Sequence, residues 1–115
     1  MNNILKEKLY NYCYQIKTGK PVANIPVQNR YVQEAEEMII DNGLIFFPKF
    51  LYEGWTTIWV FKKPFMKEII ERILELFPPE QPQTAFDHWV LGKLFGYSDE
   101  AIEKYINLKC EKITV

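Results

Sequence analysis

His88 is the single histidine of the chain, and Cys13 and Cys110 are its only cysteines, so any histidine- or thiol-dependent catalysis has to pass through these three residues. A nucleophile and its base must lie within hydrogen-bond reach, with a third group orienting the base. Asp87 adjoins His88, but successive side chains at a helix start diverge, so no orienting Asp–His pair follows from adjacency. Asp87 reads better as a helix-capping residue and His88 as a partly exposed or interfacial one. The cysteines, so far apart, read as free buried thiols and not as a disulfide framework. The same separations rule out zinc-ligand spacing, and no acidic loop has the pattern of a calcium site. KTGK at Lys17 to Lys20 lacks the companion serine motifs of penicillin-binding proteins. It is no phosphate-binding loop either, since Tyr14 stands where a glycine is needed and no strand precedes it. The glutamates at 34, 36 and 37 and at 68, 71 and 75 occupy helix faces that water keeps. These residues predict a protein that is not an enzyme and needs neither metal nor cofactor.

Two constellations point to binding. Phe50, Tyr52, Trp55 and Trp59, with Lys49, Lys62 and Lys63 nearby, have the composition of a stacking platform for a nucleotide or single-stranded nucleic acid. The plainer role for such a face is the core of a small α+β domain, and the aromatic face is the expected packing surface for the first three helices. The second constellation is WVLGKLFGYSDEAIEKYI, a helix, a glycine turn, a capping serine and a second helix, which has the form of a helix-turn-helix. Its second helix would enter the major groove with Asp99, Glu100 and Glu103 in front, and carboxylates oppose phosphate, so no tight duplex DNA binding is expected. The same three acids suit a contact with the basic patch of a protein.

The elements that position these residues follow from periodicity and breakers. Leu5, Leu9, Cys13 and Ile16 recur at helical spacing and predict a helix from Asn3 to Lys17, closed by Gly19. KPVANIPV, with Pro21 and Pro26, predicts a loop or a short edge strand. A second helix is expected over 28–42 and a hairpin through LIFFPKFLYEGWTTIWVF, turning at Glu53 and Gly54. With an even loop, Tyr52 faces Trp55, Phe50 faces Thr57, Pro48 faces Trp59 and Phe46 faces Phe61, which makes one hairpin face almost wholly aromatic. Pro64 opens a third helix striped with Met66, Ile69, Ile70, Ile73 and Phe77, and Pro78 with Pro79 ends it. After the linker PPEQPQ, Thr84 and Asp87 form a capping box for a helix reaching Phe95. Ser98 caps a last helix whose buried stripe is Ala101, Ile102, Tyr105 and Ile106. The tail EKITV has β propensity and is a candidate third strand.

The expected fold is therefore α+β: about five helices packed on an antiparallel hairpin, extended to three strands if another segment pairs. A chain of 115 residues fits one domain, 1–115, with 84–109 as a helical-hairpin subunit of it. Hydrophobic residues at 48% against 25% charged residues exclude a disordered chain. The net charge of −1 excludes a global pull toward nucleic acid or anionic membrane. No apolar run approaches the ~18 residues a membrane span requires, and the N-terminal stretch interleaves charges where a signal peptide would be continuous, so a cytoplasmic protein is expected.

FDHWVLGKLFGYSDEAIEKYI, about residues 86–106, together with the Lys-, Ile- and Asn-rich composition, resembles small accessory proteins of phages and mobile elements of low-GC Gram-positive bacteria. The resemblance brings no active-site residues with it. It implies binding and inhibition of a host protein, a nucleic-acid-binding defence enzyme for example, in the manner of anti-CRISPR and other anti-defence proteins. The alternative function is nucleotide or nucleic-acid binding through the aromatic hairpin.

Overall fold

The computed structural model describes residues 1–110 and divides the chain into two compact units, Met1–Met66 and the residues from Lys67 onward. The described residues form five α-helices and one three-stranded antiparallel sheet, the α+β class expected from the sequence.

The first unit begins with α1 (Asn3–Lys17), whose bounds match the periodicity. Asn2 caps it by accepting a hydrogen bond from the Leu5 N–H at 2.8 Å. KPVANIPV resolves into a seven-residue edge strand, β1 (Val22–Gln28). Pro26 is tolerated there because an edge strand leaves every second N–H without a ladder partner. The strand takes Gln28, the first residue expected of the second helix. A single 3₁₀ turn over Asn29–Tyr31 follows, and α2 (Val32–Asp41) starts four residues later than periodicity places it. The hairpin is β2 (Ile45–Tyr52) and β3 (Trp55–Phe61), and the sheet order β1-β3-β2 makes β3 central. The third strand is thus β1, while the tail EKITV lies outside the described residues.

The hairpin register departs from the even-loop expectation. Tyr52 pairs with Trp55 as expected, but a bulge between Phe50 and Tyr52 shifts everything beyond it by one residue. Phe50 pairs with Thr56, Pro48 with Ile58, Phe47 with Trp59, Phe46 with Val60 and Ile45 with Phe61. A one-residue slip exchanges the two faces of a strand, so the wholly aromatic face does not form.

The packing expectation is corrected with it. The core beneath α1 and α2 is built from Ile58 and Val60 of β3 with Ala23, Ile25 and Val27 of β1, packed against Leu9, Cys13, Ile16, Ala35 and Ile39. This is the hairpin face that carries Ile58 and Val60, opposite the one that carries Trp59 and Phe61. The aromatic residues of β3 are nevertheless buried too, Trp59 and Phe61 at 1% exposure each, so the central strand is enclosed on both faces.

In the second unit α3 (Met66–Leu76), which starts at the boundary, buries Met66, Ile70 and Ile73 and leaves Glu68, Glu71, Arg72 and Glu75 in water. Arg72 bridges Glu68 and Glu75 across single turns. After the proline-rich linker, α4 (Ala85–Leu94) and α5 (Asp99–Cys110) pack together as a helical hairpin. No helix among the described residues is long and apolar enough to cross a membrane.

Candidate functional site

The α4–α5 hairpin is built by local signals that the sequence states openly. Thr84 and Asp87 make a reciprocal capping box: the Thr84 hydroxyl accepts from the Asp87 N–H at 3.1 Å, and the Asp87 carboxylate accepts from the Gln83 and Thr84 N–H groups at 3.0 and 3.4 Å. These bonds, that from Gln83 foremost, hold the Asp87 carboxyl below the ordinary carboxylate range. They also aim it at the helix end, so its role is the cap and not the orientation of His88.

At the other end of α4 the chain reverses through Gly96, whose φ of +84° suits glycine. The Tyr97 N–H returns to the Gly92 carbonyl at 2.9 Å, and Ser98 Oγ accepts from the Ala101 N–H at 3.2 Å to start α5. Gly92 sets the closeness of the two helices. A Cβ at this position would sit 2.5 Å from Ile102 Cγ1, so a larger residue would push α5 away.

Between the two helices lies a cavity of about 460 Å³, within the size range of small-ligand or side-chain pockets. Leu91, Gly92 and Ile102 form its buried wall, and His88, Tyr97 and Tyr105 supply its polar atoms. The His88 ring meets Tyr105 edge-on at 5.2 Å between centroids. No carboxylate, thiol or serine is among the described lining residues. The arrangement suits an apolar group held against two aromatic rings.

Sequence reasoning missed this cavity because it placed Ala101, Ile102, Tyr105 and Ile106 together in a buried stripe. Only Ile102 is buried. Tyr105 is 48% exposed, Ala101 is exposed and Ile106 is half-buried. Two helices alone cannot enclose a stripe 100° or more wide. Ala101, Tyr105 and Leu108, spaced i, i+4 and i+7, therefore share a face of α5 that remains in water, Leu108 at 70% exposure.

The acidic residues flank that face. Asp99, Glu100 and Glu103 are all exposed, but Asp99 is ion-paired with Lys93, whose ammonium also lies over the Trp89 ring. Glu100 and Glu103 line a shallow depression together with Lys104, Asn107 and Leu108. Of the three acids proposed as a contact surface, Glu100 and Glu103 thus share a depression with Lys104 and Leu108, and Asp99 is engaged within the hairpin.

The proposed aromatic binding face is not assembled as one surface. Trp59 is enclosed, Phe50 (75% exposed) is carried by the bulge to the face opposite Trp59, and only Tyr52 and Trp55 remain near each other at the hairpin tip, 6.2 Å between ring centroids. The remaining chemistry-bearing residues have structural places. Burial pushes the Cys13 thiol up from its ordinary value, which keeps it protonated and inert. The Thr18 hydroxyl donates to the Tyr14 and Gln15 carbonyls at the end of α1. Among the described residues no group of three or more His, Cys, Asp or Glu is placed to hold a metal ion.

No family model matches the chain, and neither the curated proteins nor the solved structures contain a match to it.

Proposed function

We propose that this chain is a non-enzymatic binding protein of the phage-accessory kind, which captures a host protein on the exposed face of α5 and thereby inhibits it. The observation that carries the reading is the stripe of Ala101, Tyr105 and Leu108 with the cavity beside it and Glu100 and Glu103 along its flank. An apolar stripe that its own unit leaves uncovered is the form a helix takes when it docks into a groove, read through anchors at i, i+4 and i+7. Flanking carboxylates select a basic partner and speed the encounter, while the aromatic anchor supplies most of the affinity. A nucleic-acid-binding enzyme has both features, a basic channel and apolar walls, and carboxylates can lie where phosphates otherwise would.

The test is capture from a lysate of a low-GC Gram-positive bacterium, comparing the wild type with Tyr105→Ala/Leu108→Ala and with Glu100→Gln/Glu103→Gln, each checked for fold by circular dichroism. The first variant should lose the partner, and the second should retain it more weakly with a flatter salt dependence. Equal capture by all three proteins would remove α5 from the interface.

A further inference from the structure

The cavity between α4 and α5 contains polar chemistry that an apolar docking stripe does not use. Its wall of Leu91, Gly92 and Ile102 is apolar and buried, and its volume of about 460 Å³ is that of a small-molecule site. Two polar side chains converge on it, His88 from α4 and Tyr105 from α5, with their rings edge-on at 5.2 Å between centroids. Neither the imidazole nor the phenol hydroxyl has a hydrogen-bond partner among the described residues. Asp87, the carboxylate nearest His88 in sequence, acts on it through charge alone. It lies outside the lining, and its oxygens accept from the Gln83 and Thr84 N–H groups that it caps. On the other side, Lys109 holds its ammonium 5.8 Å from the Tyr105 ring centroid. A phenol donates its O–H, and an imidazole carries at least one N–H in either protonation state. The cavity therefore sets two unengaged donors, with a cation beside them, against an apolar chamber.

We infer that this cavity binds a small apolar carboxylic acid: the hydrocarbon body lies against Leu91, Gly92 and Ile102, and the carboxylate accepts from His88 and Tyr105. A carboxylate takes both donors at once through charge-assisted hydrogen bonds, which an alcohol of the same shape forms only in their weaker neutral form. An ammonium head would meet Lys109 and no carboxylate among the described lining residues. The described lining belongs wholly to the second unit, so the site is complete within this chain. It goes beyond the capture of a host protein and does not rest on it, and no bond is made or broken.

The experiment is titration of the full chain, followed by amide NMR, with three probes that share one body: phenylbutyrate, phenylbutanol and phenylbutylamine. Phenylbutyrate should bind and shift the amides of Leu91, Gly92 and Ile102. Phenylbutanol should bind about tenfold more weakly, the difference between a charge-assisted and a neutral pair of hydrogen bonds, and phenylbutylamine more weakly still. Ala101→Phe, which adds a ring to the lining at an exposed position, should abolish binding with the circular dichroism unchanged. Tyr105→Phe removes only the hydroxyl and should reduce the preference for the acid over the alcohol by about threefold or more. Absence of phenylbutyrate binding at millimolar concentration, shifts that avoid the lining, or undiminished binding by folded Ala101→Phe would each overturn the assignment. Equal affinity for acid and alcohol in the wild type, or an unchanged preference in Tyr105→Phe, would overturn it as well.

Discussion

Single residues decide whether the candidate surface exists. Gly92 is the sharpest case, because its missing Cβ is what lets Ile102 approach α4. Gly92→Ala would gain about 1 kcal/mol of helix propensity, but overpacking against a β-branched side chain costs ~1–3 kcal/mol. A net loss of about 0–2 kcal/mol is expected in chemical denaturation. The loss should disappear when Gly92→Ala is made in an Ile102→Ala background, since neighbouring changes that share one clash do not add. Asp87 gives the pH dependence of the same hairpin. Its folded-state pKa is depressed by the N–H groups it caps, so its stabilisation is complete above the unfolded-state value and is lost as pH falls through the folded one. Amide exchange in the first turn of α4 should accelerate below the ordinary carboxylate range. Asp87→Asn should remove that acceleration, and an identical acid response in both proteins would refute the assignment. Thr84, Asp87 and Ser98 were all legible in the sequence because capping depends on a few adjacent residues. The role of Gly92 was not, because it depends on a contact ten residues away.

At the scale of elements, legibility stops where pairing begins. The bounds of α1 and the hairpin turn at Glu53 and Gly54 follow from local periodicity and breakers, and both stand in the structure. The faces of the hairpin did not follow, since one extra residue near Leu51 exchanges them, and no composition signal distinguishes a bulged strand from a regular one. IWVF could have warned that β3 is central, because an unbroken apolar run reads as a strand buried on both faces. The stacking-platform reading of Trp59 depended on that missed point. With Trp59 and Phe61 enclosed, Trp59→Ala and Phe61→Ala should each cost about 3–5 kcal/mol, measured as a shift of the denaturation midpoint at constant slope. Near-native stability of either variant would show that its ring can leave the interior, and would reopen the hairpin as a ligand face.

At the scale of the whole molecule, charge and cohesion are distributed unequally. Residues 1–66 carry eight Lys and Arg against six Asp and Glu, whereas residues 67–115 carry six against nine, so a net charge of −1 conceals a basic and an acidic unit. The cavity bordered by Lys17, Lys20, Lys62 and Lys63 belongs to the first unit, and the depression lined by Glu100 and Glu103 to the second. Cohesion differs in the same way. The first unit has a central strand hydrogen-bonded on both sides and a cluster of eleven buried residues under α1 and α2. Among the described residues the α4–α5 hairpin buries only Leu91, Gly92, Leu94 and Ile102, and keeps Phe86, Trp89, Tyr105 and Leu108 exposed. Regions with few buried apolar contacts open at lower free energy than the core. Hydrogen exchange read by mass spectrometry should therefore find Ile58 to Val60 slowest and the second half of α5 fastest among the helices and strands. A binding surface drawn from the less stable end can adjust to its partner, and the partner, by binding only the folded form, should slow exchange in α4 and α5 while leaving β3 unchanged. If α5 in the isolated protein exchanged as slowly as β3, the hairpin would have to be held by more than its own contacts, and the view of α5 as a loosely supported docking helix would fail.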